Sequence, residues 1–412
     1  MARRSLSPLF SRSVQRSLTR AFGAIARTVA RAGVKAIRKP AARRKPATPS
    51  RPRSRPRSRA ASSGAAVGLR SGMVAGITGA QRYQLYKPPG AKRGERLPLL
   101  VMLHGCTQDG HAMAASSRMN RNAARERFLV LYQAQDRMSN VQGCWNWFDT
   151  RNGRAQREAD AIGAAISQVC LTQPVDPDRI AIAGFSAGAG MAALLATRQP
   201  AWFKAVIMHS GIAPGVAHSS ATALNAMRGR RAGGPFAPLA GAGSLPALLV
   251  IQGTADPVVA PSNGASAAQR WAAHAEAAPG TADSAKLGAL AGARVGARVG
   301  AKADAKVAVK AAHPRTVQRG NRRSATLTDY RIEARIVATL CEVNGLGHAW
   351  SGGAPGLPYS DPTGPDASRM VWAFAARQFA LGLAPIAPPA LRRADAGGIV
   401  TALADPSSLI GP

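Results

Sequence analysis

Short apolar runs alternate with stretches of helical spacing from about residue 81 onward. The runs predict strands at residues 81–87, 97–103, 128–132, 179–183, 203–208, 245–251 and 332–343. The helical spacing predicts helices at residues 117–127, 156–171, 187–197 and 365–381. Strands that are apolar on both faces and separated by helices are typical of a parallel sheet covered on both sides. We therefore predict an α/β fold with a mostly parallel, doubly wound sheet.

One strand-to-helix junction carries a candidate nucleophile. Ser186 stands in the pattern G-F-S-A-G, with Gly184 before it and Gly188 after it, between the strand at 179–183 and the helix at 187–197. A strand that leads directly into a helix forces the residue between them into a strained turn, called a nucleophile elbow, which exposes the side chain. Small neighbours are needed because a Cβ would collide with the crowded backbone. Ser186 is therefore the predicted catalytic nucleophile.

A serine nucleophile needs a base and a carboxylate that orients the base. Asp256 follows the strand at 245–251, and His348 follows the strand at 332–343. In this chain order the two loops come to the edge of a parallel sheet where sites form. The other histidines lie elsewhere, and His104 and His209, at or just past predicted strand ends, are expected to be structural. We predict that Asp256 and His348 complete the catalytic set.

Ester attack creates an oxyanion, which two backbone N–H groups must stabilise. Ala187 follows the nucleophile and opens a helix, so its N–H is one predicted donor. The loop after the strand at 97–103 supplies the other, and we assign it to Cys106. Cys106 and Cys144 would form a disulfide in an exported protein, or else remain two small buried apolar residues. No cofactor or metal is expected, since the four cysteines include no C-x-x-C pair.

Composition divides the chain into unlike parts. The formal net charge is +35, and 18 of the 55 Lys and Arg residues fall in residues 1–60, ahead of the first acidic residue, Glu95. Residues 1–79 are predicted to be a basic, Pro/Arg-rich disordered tail with an amphipathic helix at 17–39. A solvated linker is favoured over an arm that binds nucleic acid or another anionic surface. Arg27 and Arg31 interrupt the only candidate for a secretory signal core, and no segment is apolar enough to span a bilayer.

The predicted catalytic domain covers residues 80–382 and contains two unusual segments. Residues 213–243 are rich in Gly, Ala and Pro and follow the strand after the nucleophile, a position suited to a lid. Residues 277–323 have low complexity and are predicted to be an insertion. Residues 383–412 are predicted to be a loose tail.

Four motifs together resemble one known family. They are HGCTQ at 104–108, CWNWF at 144–148, GFSAG at 184–188 and GHAW at 347–350. In this order they resemble the poly(3-hydroxybutyrate) depolymerase family of esterases, relatives of the feruloyl and acetyl xylan esterases. The resemblance implies the α/β-hydrolase fold and a Ser186–His348–Asp256 triad. It further implies that Trp145, Trp147 and Trp350 line a crevice that accepts polyester.

The expected function is that of a serine carboxylic-ester hydrolase that acts through an acyl-enzyme on poly(3-hydroxyalkanoate) or its oligomers. A feruloyl or acetyl xylan esterase is the alternative within the same chemistry. A granule- or nucleic-acid-associated basic protein on an inactive hydrolase scaffold is the alternative from another class. By resemblance the protein is expected outside the cell, with the cytoplasm or a polymer-granule surface as the alternative.

Overall fold

The structure is a computed structural model that describes residues 68–76, 79–92, 94–230, 244–277 and 309–381. Its helices are α1 Gly110–Ser117, α2 Met119–Glu126, α3 Arg154–Thr172, α4 Ala187–Arg198, α5 Ser220–Met227, α6 Ser262–Ala277 and α7 Ala367–Ala380. The first strands are β1 Leu69–Gly76, β2 Gly79–Tyr86, β3 Leu97–Leu103, β4 Leu129–Gln133, β5 Val175–Phe185, β6 Ala205–His209 and β7 Ala247–Gly253. The remaining strands are β8 Lys310–Ala311, β9 Arg315–Val317, β10 Ala325–Ile332, β11 Arg335–Val343, β12 Trp350–Ser351 and β13 Ser360–Asp361.

In the described residues a mixed sheet of 11 strands forms the centre of the molecule, in the order β1-β2-β4-β3-β5-β6-β7-β11-β10-β8, with β9 on β10, and β12 and β13 pair separately. The six strands from β4 to β11 are mutually parallel. Antiparallel strands flank this block, with β1 and β2 at one edge and β10, β8 and β9 at the other. A parallel block with an antiparallel leading edge and helical crossovers is the α/β-hydrolase fold, so the predicted fold is confirmed.

Each face of the sheet carries its own core because the strand side chains alternate between the two faces. Leu99, Val101 and Leu103 of β3 pack with the apolar sides of α3, α4 and α6. Leu100 and Met102 of the same strand pack with α1, α2 and α7. All seven residues of β3 are buried, which explains the unbroken apolar run from 97 to 103.

Two predicted boundaries are wrong. The run at 332–343 is not one strand, because the chain reverses between β10 and β11, with Glu333 in the left-handed region at φ 53°. Ile332 closes the first strand and Arg335 opens the second. The folded domain also begins before residue 80, since β1, at Leu69–Gly76, pairs along its whole length with β2. Apolar and polar residues alternate only weakly along β1, because an edge strand leaves much of one face in water.

Several predicted segments lie partly or wholly outside the described residues. The helix at 17–39 and the tail at 383–412 are among them, as is most of the low-complexity segment at 277–323. The described part of that segment contributes β8 and β9, which pair with β10. The described part of the segment at 213–243 contains α5, which begins with a capping box at Ser219 and Thr222. In the part of the chain that the structure covers, no helix has the length and apolarity to cross a bilayer.

Candidate active site

Ser186 occupies the sharp turn between β5 and α4. Its backbone is at φ 56° and ψ −119°, a strained conformation for a residue with a side chain. The surrounding backbone fixes this conformation, since Ser186 N–H donates to His209 O at 2.9 Å and Ser186 O accepts from Ala189 N–H at 3.0 Å. The strand, turn and helix predicted around Ser186 are therefore all present.

Two glycines make this turn sterically possible. A Cβ at Gly184 would lie 2.1 Å from Gly188 O, and a Cβ at Gly188 would lie 2.3 Å from Leu103 O. Both obstacles are backbone atoms, which cannot move aside as a flexible side chain would. The packing of α4 against β3 and β5 therefore depends on the absence of side chains at these two positions.

Ser186, His348 and Asp256 form a continuous hydrogen-bonded chain. Ser186 Oγ lies 2.9 Å from His348 Nε2, and His348 Nδ1 lies 2.8 Å from Asp256 Oδ2. The three residues come from loops that follow β5, β11 and β7, so they meet at the carboxyl edge of the parallel block. All three are buried. The structure thus brings together the three residues that the sequence predicted as a catalytic set.

The Asp256 carboxylate is held by more than the imidazole. Its Oδ1 accepts the N–H groups of Val258 and Val259 at 2.8 and 2.9 Å. Burial raises the pKa of the Asp256 carboxyl, but the hydrogen bond and charge of His348 and the two backbone donors outweigh burial, so the net pKa is lowered. Asp256 therefore remains ionised at neutral pH and directs the protonated Nδ1 of His348.

The two histidines expected to be structural have other partners. His104 Nε2 accepts Gln135 N–H at 3.1 Å, while its Nδ1 lies 2.8 Å from Gly105 O. His209 Nε2 accepts Ser351 N–H at 3.1 Å. Burial lowers the pKa of His209 to about 3 and also lowers that of His104. Both rings are therefore neutral, and each accepts a backbone N–H group beside the site.

The predicted oxyanion donors are the N–H groups of Cys106 and Ala187. Cys106 lies in the loop after β3, and Ala187 opens α4, where the first N–H groups have no acceptor within the helix. The backbone hydrogen bonds of the described residues give neither group an acceptor. The assignment of these two groups as oxyanion donors stays a prediction.

Cys106 and Cys144 form a disulfide across 38 residues of sequence. The sequence left this pairing open between a bond and two free thiols. The bond joins the loop after β3 to the segment 144–148, which holds Trp145 and Trp147. A second link runs parallel to it, since Thr107 N–H donates to Gln142 O at 2.9 Å.

The predicted role of the tryptophans needs correction. Trp145 and Trp350 are each only 1% exposed. Trp350 stacks on His209 at 5.0 Å and donates to Ser368 Oγ, while Trp145 packs beside His104 at 5.6 Å. Trp147 is 8% exposed and lies against Gly190 of α4. These side chains are packed into the protein and support the loops of the site, so Trp145 and Trp350 present no surface to a substrate.

Tyr359 is a site residue that the sequence did not reveal. Its hydroxyl lies 3.1 Å from Thr107 Oγ1, and its ring lies edge-on to His348 with centroids 6.5 Å apart. Both Thr107 and Tyr359 have positive φ, at 65° and 54°. The two residues are 252 positions apart, so no local pattern could have joined them.

Within the described residues, no group of His, Cys, Asp and Glu side chains could hold a metal ion.

The fold and the Ser–His–Asp geometry define the class of the protein as an α/β hydrolase. The sequence profile of the family described as Esterase PHB depolymerase matches residues 81–310, more than half of the chain. The chain belongs to this family.

Individual relatives are more distant. The chain is 28% identical over 202 residues to poly(3-hydroxyalkanoate) depolymerase C of Paucimonas lemoignei, covering 45% of this chain and 47% of that one. It is 32% identical over 135 residues to an acetylxylan esterase of Coprinopsis cinerea, covering 32% and 35% of the two chains. The chain thus spans less than half the length of these curated relatives. Among solved structures, the acetyl xylan esterase from Aspergillus awamori has 17% identity and a TM-score of 0.49, covering 69% of this chain and 95% of that one.

Proposed function

We propose that the protein is a serine carboxylic-ester hydrolase that works through an acyl-enzyme. The observation that carries this proposal is the hydrogen-bonded chain from Ser186 Oγ through His348 to Asp256 Oδ2. A serine hydroxyl is a weak nucleophile until a base accepts its proton, and the base must present an unprotonated nitrogen to it. Asp256, ionised and hydrogen-bonded to Nδ1, leaves Nε2 of His348 free for that task.

The reaction then follows from the geometry in two halves. Ser186 Oγ attacks the ester carbonyl while its proton passes to His348 Nε2, and the oxyanion accepts the N–H groups of Cys106 and Ala187. His348 returns the proton to the departing alcohol, which leaves the acyl group on Ser186. Water attacks this acyl ester with His348 again as the base, and Ser186 is restored when the acid departs.

The proposed substrate is a poly(3-hydroxyalkanoate) or its oligomers. One relative is named as a depolymerase of this polymer class. A property of the surface supports the same choice, since Met138 and Val141 are 93% and 80% exposed. They lie on the loop whose Gln142 bonds to Thr107, beside the proposed oxyanion donor Cys106. Two exposed apolar side chains at this position are suited to contact an uncharged, hydrophobic polyester.

A feruloyl or acetyl xylan esterase is the second candidate, because another relative is named as an acetylxylan esterase. The two candidates share the chemistry at Ser186 and differ only in the ester they accept. We also propose an extracellular location, which the Cys106–Cys144 disulfide supports because such bonds persist in oxidising compartments.

Two comparisons of the purified protein test the proposal. The first is p-nitrophenyl butyrate hydrolysis by the wild type and by Ser186→Ala, where we expect a loss of at least about 10³-fold in kcat in the variant. Equal rates would contradict the esterase and favour an inactive scaffold. The second compares wild-type turnover on poly(3-hydroxybutyrate), methyl ferulate and acetylated xylan. Preference for the polyester supports the proposed substrate, and preference for either of the others replaces it.

A further inference from the structure

Glu158 is a buried carboxylate that the proposed reaction does not use. It projects from α3 and is 7% exposed. Within the described part of the chain it forms no direct ion pair, although the positive charge of Arg154, which pairs with Asp149, also acts on it. Burial raises the pKa of the Glu158 carboxyl, and hydrogen bonds from Asn146 and Gln135, together with the positive charge of Arg154, oppose that rise. A buried carboxylate without a directly paired counter-ion costs stability, so its contacts call for an explanation beyond packing.

Glu158 bonds chiefly to Asn146, with Gln135 as a further side-chain partner. Glu158 Oε2 accepts the backbone N–H of Asn146 at 2.8 Å, and Oε1 accepts the side-chain amide of the same residue. A carboxylate only accepts hydrogen bonds, so it fixes the orientation of the Asn146 amide with Nδ2 toward α3. The amide oxygen Oδ1 is thereby turned the other way, where it accepts Asn140 Nδ2 at 3.0 Å.

A series of hydrogen bonds leads from Asn146 through the loop at 140–146 to the residue beside the proposed oxyanion donor Cys106. Asn140 Oδ1 accepts Gln142 N–H at 3.0 Å, and Gln142 O accepts Thr107 N–H at 2.9 Å. Thr107 directly follows Cys106, whose sulfur is bonded to Cys144, two residues before Asn146. Cys106 is therefore attached to this loop both through its own side chain and through the N–H of the residue that follows it.

We infer that Glu158 is a positioning residue for the oxyanion-stabilising N–H of Cys106, acting through Asn146 and the loop at 140–146. This inference rests on the proposed function. Glu158 does not contact the substrate in this proposal. It orients the Asn146 amide and, through that amide, the hydrogen bonds that lead to Cys106. A glutamine of the same shape would donate as well as accept, so the Asn146 amide could turn over and lose its bond to Asn140.

Replacement Glu158→Gln tests this role in the full-length protein. We expect kcat on p-nitrophenyl butyrate to fall about 10-fold to 100-fold, less than for complete removal of an oxyanion donor, with KM changed less than twofold. Inhibition by phenylboronic acid, which forms a tetrahedral anion on the serine, should weaken by a similar factor. The thermal midpoint of the variant shows whether the fold is kept.

Asp329→Asn is the matched control. Asp329 is a buried carboxylate, 2% exposed, that bonds to Arg315 and Thr339 at the far edge of the sheet. We expect this variant to lose stability and keep wild-type kcat. Unchanged kcat and boronate inhibition in Glu158→Gln, or equal losses in both variants, would overturn the inference.

A poorly folded Glu158→Gln would be replaced by Asn146→Ser, which keeps Glu158 but breaks the relay to Asn140. The same fall in kcat at constant KM is expected there, and wild-type kcat would overturn the inference. An inactive wild type would instead refute the proposed function, so the two failures are distinguishable.

Discussion

His348 Nδ1 lies 2.8 Å from Asp256 Oδ2, with the two side chains 4% and 0% exposed. Water therefore does not compete for this hydrogen bond. The two residues are 92 positions apart and are brought together because β7 and β11 are neighbouring parallel strands. The orientation of the proposed base thus depends on one buried contact between two strand-end loops.

Asp256→Asn should reduce kcat on p-nitrophenyl butyrate by about 10⁴-fold with little change in KM. The amide keeps the shape of the carboxylate, but its NH₂ group favours the tautomer in which Nε2 carries the proton and cannot accept one from Ser186. Circular dichroism of the variant would show that the fold is intact. A variant with more than a tenth of wild-type kcat would show that Asp256 does not orient the base.

Acid should remove the stability that the Asp256 carboxylate contributes. Its pKa is lowered from the ordinary value of 3.8, so the contribution is complete above about pH 4 and is lost as pH falls through the lowered pKa. We expect the unfolding free energies of wild type and Asp256→Asn to converge only below about pH 4. Urea titrations from pH 6 to pH 2.5 measure this, and convergence already at pH 5 would be inconsistent with a lowered pKa.

Removal of the Cys106–Cys144 disulfide should cost both stability and rate. Closure of a loop of 38 residues corresponds to about 4 kcal/mol of unfolded-state entropy. The double variant Cys106→Ala/Cys144→Ala keeps the backbone N–H at 106 but frees its loop, so kcat should fall together with stability. Denaturant unfolding and ester turnover measure the two effects. Wild-type kcat in a clearly destabilised double variant would separate the disulfide from the oxyanion donor.

The exposed pair Met138 and Val141 should matter for a solid polyester and not for a small ester. We expect Met138→Ser/Val141→Ser to bind several-fold less to poly(3-hydroxybutyrate) particles and to hydrolyse p-nitrophenyl butyrate at the wild-type rate. Leu171→Ser is the control, because Leu171 is 52% exposed near the end of α3, which leads into the amino end of β5. Equal particle binding by all three proteins would exclude this pair as a polymer contact.

The residues that meet at Ser186 could be predicted because each one follows its own strongly apolar strand. Parallel strands bring their carboxyl ends to one edge, so chain order and strand ends were enough to select Asp256 and His348. The same reasoning assigns the oxyanion donors to Cys106 and Ala187, and this assignment stays a prediction. Most of the fold and the three residues at the centre of the site could therefore be predicted from local sequence patterns.

The surroundings of the site could not be predicted in this way. Trp145 and Trp350 pack in the core beside His104 and His209, which are distant from them in sequence. Glu158 follows Arg154 and Arg157 on a charged stretch of α3 and resembles a solvated side chain until the loop at 144–148 covers it. Such burial is a property of tertiary packing, which helical periodicity does not encode.

A pre-steady-state burst tests the central claim most directly. The protein is mixed with p-nitrophenyl butyrate, early p-nitrophenol release is counted per protein molecule, and the acid-quenched protein is mapped by peptide mass spectrometry. We predict that, under conditions where deacylation limits turnover, the burst approaches one equivalent and a butyryl group appears on the peptide that contains Ser186, absent from Ser186→Ala. Hydrolysis by Ser186→Ala at the wild-type rate, or an acyl group on another residue, would contradict the account.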